Sequence, residues 1–232
     1  PGATELVFDF PATWSVLIPD RAFAGNPEIL SVTVRGDLTL PSQCFYGCSN
    51  LRSVRLEGAV TVNWGCFTNC LALEEVSCSP QVHLENHFDS DGIFENCIAL
   101  KSFSWPQATQ AIPPNCFRGC INLRRLELPA TLTTLSENAF DRCVGIEEVI
   151  YGGTVDQWAS LVFANQQAHP LNHCGYASLI IGGKPLTEAV FGPEVTQINT
   201  MCFFNYRALE QITFTAPSVE IQAMAFYRCQ GL

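Results

Sequence analysis

Twelve cysteines and four histidines are the side chains most able to do chemistry in this 232-residue chain. Cys44 and Cys48 stand four residues apart in CFYGCSNL, a spacing that could supply half of a metal site or a redox pair. A second candidate is HLENHFDSDG, where His83, His87, Asp89 and Asp91 crowd one short stretch and could hold a divalent ion weakly. A third is HPLNHC, where His169, His173 and Cys174 invite a zinc ion. Neither histidine set is complete. A calcium loop needs more oxygen ligands at fixed spacing, and a zinc site needs four converging ligands. Asp, Gly, Pro170 and Asn172 supply turn geometry instead. Both stretches are therefore expected to be polar turns, with no metal and no other cofactor.

Catalytic signatures are absent from the sequence. There is no G-x-S-x-G, G-x-x-x-x-G-K-[ST], H-E-x-x-H or C-x-x-C. The carboxylate pairs Glu74–Glu75 and Glu147–Glu148 open short strands, where neighbours alternate faces and do not converge on one substrate. No catalytic residue is assigned, and the chain is not expected to be an enzyme.

The elements that carry these residues repeat. Units of eight residues begin at 22, 44, 66, 93, 116, 139, 202 and 225. Their second residue is always Phe: Phe23, Phe45, Phe67, Phe94, Phe117, Phe140, Phe203 and Phe226. Their eighth is always Ile or Leu, and an Ile, Leu or Val stands four residues before each unit except the one at Ile93, where Asp89 stands. A short alternating run follows each unit, such as SVRL, EVSC and RLEL. Period-two alternation marks a strand with one buried face. One such strand per 22 or 23 residues cannot bury that face alone, but stacked copies can. The expected fold is a leucine-rich repeat solenoid. A parallel β-sheet lies on one face and short turns and loops on the other, with about nine or ten rungs some 4.8 Å apart.

The repeats also test the cysteines. The first unit position reads Ala, Cys, Cys, Ile, Cys, Ala, Cys, Ala. Metal ligands do not interchange with Ala and Ile, whereas residues of a small buried site do. The fifth position is Cys48, Cys70, Cys97, Cys120, Cys143 and Cys229, with Asn26 and Tyr206 as exceptions. Buried, unpaired thiols are the expectation. Disulfides between in-register rungs stay open as the alternative, because neighbouring Cα atoms fall within disulfide range. Cys78 and Cys174 lie outside the ladder, and Cys78 takes the place of a strand Leu.

The phased Phe, Cys, Leu and Val/Ile positions resemble the BspA-like leucine-rich repeat family over nearly the whole chain. The segment 151–191 resembles an insertion of bacterial members, of the kind found in gut Firmicutes. It reads as a Gly-Gly turn, a helix in TVDQWASL opened by a T-x-x-Q capping box, and a hairpin around IGGKPL. Trp158 is expected to pack at the solenoid edge. The resemblance implies a secreted or cell-surface protein of bacteria or protists that attaches to host matrix proteins or other microbes. It implies no particular ligand.

Composition sets the remaining limits. Hydrophobic residues make up 47% and charged residues 15%, enough to bury a core. With 12 basic against 22 acidic residues and no basic cluster, nucleic acid is not an expected partner. No apolar run reaches the roughly 18 residues of a membrane span. The chain reads as one solenoid over 1–232, a monomer and a fragment of a longer protein, since it opens at Pro1 and stops inside a unit. A protein ligand would meet the outward residues of the strands. These are Ser53, Arg55, Glu75, Ser77, Ser102, Ser104, Arg125, Glu127, Glu148, Gln211 and Thr213, with Ser31, Thr33 and Ile150 beside them. The face has few aromatic anchors. Two functions fit: a binding or adhesion module, or a structural spacer beside a functional domain elsewhere in the protein.

Overall fold

The computed structural model describes residues 4–10, 16–85 and 91–232. It is a parallel β-solenoid of stacked coils. Each coil contributes a long strand, a two-residue strand and the eight-residue turn found in the sequence. The coil through Ser53–Glu57 and Thr61–Val62 shows the plan. Val54 and Leu56 of the long strand point inward and are buried, while Arg55 between them is exposed. Neighbouring coils pair in register, Val54 opposite Val32 on one side and Val76 on the other.

The Phe column is the spine. Phe45, Phe67, Phe94, Phe117 and Phe203 are fully buried, and consecutive rings from Phe23 to Phe140 stack with centroids 5.2–5.7 Å apart. Such stacking adds to an already large apolar burial. The fourth residue of every unit has a positive φ, at Gly47 (69°), Asn69 (60°), Gly119 (77°) and Arg142 (60°), for example. Gly and Asn tolerate that left-handed geometry best, and they fill six of the eight positions. The Gly or Asn at this position marks the turn in the sequence itself.

The sheet is not one continuous ladder. The long strands form a block from Thr4–Asp9 to Glu75–Cys78, a second from Ser102–Ser104 to Ser178–Ile181 closed by Lys184–Pro185, and a pair of Glu188–Phe191 with Gln211–Phe214. The first interruption falls where the repeat lengthens from 22 to 27 residues. The short strands His83–Leu84 and Ala111–Ile112 part at the same place. The turn column holds across the break. Phe67 N donates to Ile93 O at 2.9 Å, Asn69 N to Glu95 O at 2.8 Å, and the two Phe rings remain stacked. The strands thus lose their ladder here while the Phe turns keep the coils joined.

The segment 151–191 continues the solenoid. Ser178–Ile181 pairs in parallel with Glu148–Tyr151, and Val162–Phe163 with Thr134–Leu135. The turn bonds Cys174 N to Leu171 O and Ala177 N to Cys174 O match the bonds Cys120 N to Phe117 O and Leu123 N to Cys120 O of a regular unit. Helix Val155–Ala159 begins with the expected box: Thr154 Oγ1 accepts from Gln157 N, and Gln157 Oε1 accepts from Thr154 N. Trp158 departs from the expectation of an edge position. It is fully buried against Tyr151 and Phe163, and its Nε1 donates to Cys202 O at 2.7 Å. The reason is that this segment forms a coil with an interior, which an indole can fill.

Candidate binding face

The long strands place their outward residues in two rows. Ser53 lies opposite Glu75, and Arg55 opposite Ser77. In the second block Ser102, Arg125 and Glu148 form one row, with Ser104, Glu127 and Ile150 in the next. Gln211 and Thr213 face the same way beyond the segment 151–191. Arg55, Glu75, Ser77, Ser102, Ser104, Arg125 and Gln211 are exposed; Ser31, Ser53, Glu127, Glu148, Ile150 and Thr213 are half-buried. Thr33 is an exception, only 8% exposed. The structure places these residues on strands of three hydrogen-bonded blocks.

Two further members were hidden in the segment set aside as an insertion. Glu188 and Val190 sit opposite Gln211 and Thr213 and are exposed. The alternation EAVF carried that signal in the sequence.

Charges on the face are largely self-paired. Arg125 reaches Glu148 at 2.7 Å and Glu127 at 3.1 Å, and Ser104 Oγ donates to Glu127 at 2.8 Å. Glu74 bridges the interruption, meeting Arg52 at 3.6 Å on one side and Lys101 at 3.2 Å on the other. Such exposed pairs each contribute about 0.2–1 kcal/mol, so they set charge pattern more than stability. Arg55 is less engaged, 3.9 Å from Glu57. It borders a shallow hollow of about 610 Å³ lined by Ser31, Ser53, Glu75, Ser77 and Ser102.

The cysteines have a different role. All twelve are free thiols, and eleven are buried. Six fifth-position thiols donate to the Phe carbonyl one coil back. The Sγ–O distances are 3.1 Å for Cys48 to Phe23, 3.2 Å for Cys70 to Phe45 and for Cys97 to Phe67, 3.1 Å for Cys120 to Phe94, and 3.0 Å for Cys143 to Phe117 and for Cys229 to Phe203. A small apolar side chain with a weak donor fits this slot, which Ala would leave without its bond. The exceptions now have a cause. Asn26 turns its Oδ1 to its own turn, accepting from Glu28 N at 2.9 Å. Tyr206 follows the segment 151–191 and sends its hydroxyl to Leu186 O at 2.8 Å instead. Burial pushes these thiols up, Cys229 to about 11, and likewise the first-position Cys44 to about 12, away from the reactive thiolate. Cys78 is only half-buried because the sheet stops at its strand.

The described members of the histidine stretches stand apart from one another. His87 and Asp89 lie outside the described residues. His83 sits exposed beside Glu85 at 3.5 Å, while Asp91 accepts from Gln43 Nε2 at 2.8 Å. His169 is buried, its Nδ1 accepting from Leu171 N at 3.1 Å and its Nε2 placed 3.2 Å from Cys202 O. A carbonyl only accepts, so the proton sits on Nε2. Burial lowers this imidazole to about 4. His173 turns to Asp141 at 3.6 Å, and Cys174 Sγ donates to Cys143 O at 3.1 Å. Among the described residues no three metal-capable side chains converge. Among the described residues no helix is long and apolar enough to cross a membrane.

Known proteins were compared against this geometry. A leucine-rich repeat protein from Bacteroides ovatus is 16% identical with a TM-score of 0.48, covering 98% of this chain and 73% of its own. The Leucine Rich Repeat protein of T. pallidum is 17% identical with a TM-score of 0.49, covering 88% and 78%. A leucine-rich cell surface protein from Faecalibacterium prausnitzii is 15% identical with a TM-score of 0.53, covering 98% and 74%, which speaks to the fold alone. No curated protein matches. The family model described as BspA type leucine rich repeat region matches in six copies, over residues 8–90, 87–169 and 182–232. The chain belongs to the BspA-type leucine-rich repeat family.

Proposed function

We propose that this chain is a non-catalytic binding and adhesion module of a secreted or cell-surface protein, contacting host or microbial partner proteins through its long-strand face. One observation carries the reading. Inward strand positions stay apolar from coil to coil, as at Val54, Val76, Phe103, Leu126 and Val149, while the outward neighbours Ser53, Glu75, Ser102, Arg125 and Glu148 vary freely. The fold does not dictate those outward residues, so they are available to meet a partner. Membership of the BspA-type family supports a repeat module that binds proteins or acts as a scaffold. The description of the Faecalibacterium prausnitzii protein as a cell surface protein supports the location.

A spacer role has its own support: the pairing of Arg125 with Glu127 and Glu148 leaves little free charge in the second block. Binding kinetics over immobilised fibronectin, fibrinogen, laminin and mucin separate the two. Binding by the intact chain that is lost in Arg55→Glu/Arg125→Glu supports the module. Silence from the intact chain on all four surfaces favours the spacer.

A further inference from the structure

The sixth position of the units runs down a different edge of the solenoid. Its occupants are Pro27, Ser49, Leu71, Ile98, Ile121, Val144, Arg207 and Gln230. The fold accepts Ser, Arg and Gln there, so it does not require an apolar residue. Yet four successive units carry branched aliphatics, exposed at 44% for Leu71, 36% for Ile98, 43% for Ile121 and 59% for Val144. Their coils are directly stacked, as the 2.8 Å bond from Asn122 Nδ2 to Ile98 O shows.

This stripe runs into an open pocket of about 550 Å³ that Val144 shares with Tyr176, Arg207 and Arg228, and with Glu147 and His173, which pair with Arg124 and Asp141. Tyr176 is 87% exposed. Arg207 lies under its ring at 4.6 Å, and Arg228 lies over Tyr227 at 5.3 Å. Neither guanidinium has a carboxylate partner among the described residues, although the chain carries 22 acidic residues against 12 basic ones. Arg35, Arg52, Arg55, Arg118, Arg124, Arg125, Arg142 and Lys101 all have one, while Arg21, which lies over Tyr46, and Lys184 share the lack but stand outside this pocket. In the same pocket Arg207 Nε and Asn205 Oδ1 are buried without a hydrogen-bond partner. Guanidinium groups with spare donors suit a carboxylate.

We infer that this edge is a docking groove for an extended acidic–apolar polypeptide segment. Its aliphatic side chains lie on Leu71, Ile98, Ile121 and Val144, and a carboxylate of the segment sits between Arg207 and Arg228 beside Tyr176. Charge complementarity favours this partner, and the four-coil stripe suits a peptide better than a compact anionic sugar. The surface is separate from the long-strand face, so it extends the binding reading to a second site.

The test is selection from a random dodecapeptide display library on the immobilised intact chain. Selected peptides should combine aliphatic residues with Asp or Glu, and lose affinity by about tenfold or more for Arg207→Gln/Arg228→Gln and for Ile121→Ser/Val144→Ser. The serine variants reproduce the residue already tolerated at Ser49, and circular dichroism confirms their fold. Arg55→Glu/Arg125→Glu should leave the selected peptides bound, which separates this site from the strand face. No enrichment, or peptides indifferent to both groove variants, would overturn the inference. So would a concentration-dependent dimer in sedimentation that Val144→Ser abolishes, or binding of a sialylated oligosaccharide that needs Arg207 while no peptide is selected.

Discussion

The fifth and sixth residues of each unit are neighbours in sequence and opposites in environment. At the fifth position, six of eight units place a cysteine whose thiol is buried and bonded to the preceding coil. At the sixth, Ser49, Leu71, Val144, Arg207 and Gln230 all serve, and the aliphatic ones remain exposed. The first column is written by the fold; the second is left open by it. Repetition therefore separates architecture from recognition inside a single sequence. A reactive-looking residue that recurs in a buried column is structural, and an apolar residue that recurs where polar ones are tolerated calls for a partner.

The sharpest break in that contrast is at the centre of the interior column. Phe117→Ala should destabilise the chain by about 3–5 kcal/mol in a urea titration, since the ring is fully buried between two stacked neighbours. A loss below about 1 kcal/mol would remove the Phe column from the core.

The next largest effect comes with pH. His169 titrates near 4 in the folded chain and near 6.5 when unfolded, so the unfolded state takes up its proton first. Stability from this group is complete above pH 6.5 and drains away as the pH falls to about 4, a change of about 3 kcal/mol. His169→Phe should flatten that slope in unfolding curves collected across the range.

Cys120→Ala should cost less, about 1–2 kcal/mol, through a small cavity and the lost bond to Phe94 O. At the other end of the contrast, Ile121→Ser, one residue further on, should stay within about 0.5 kcal/mol of the parent. If these two substitutions cost the same in parallel unfolding experiments, the distinction between the columns fails.

Much of this was legible in the residues. Eight phased Phe and Ile/Leu positions with short alternating runs specify stacked coils, because no single unit buries its own face. The interruption between Cys78 and Ser102 was harder to read. A lengthened repeat announces extra residues but not whether strands or turns give way. The coil within 151–191 escaped because its turn replaces Phe with Leu171, so the pattern lost its most distinctive letter. Trp158 was misplaced for the same reason: an insertion has an edge, whereas a coil has an interior. The outward strand residues could be placed on a face by alternation. Their pairing across coils, as in Arg125 with Glu148, depends on register that period-two alternation alone does not give.

The repeated cysteines pack and hydrogen-bond rather than react. Counting thiols tests this most directly. The intact chain, purified without reductant, is treated with a thiol reagent at pH 8 before and after unfolding in urea. At most the half-buried Cys78 should react in the folded chain, and all twelve thiols once it unfolds. Fewer than twelve after unfolding would reveal disulfides between coils, and rapid reaction of the ladder thiols in the folded chain would contradict a buried packing column.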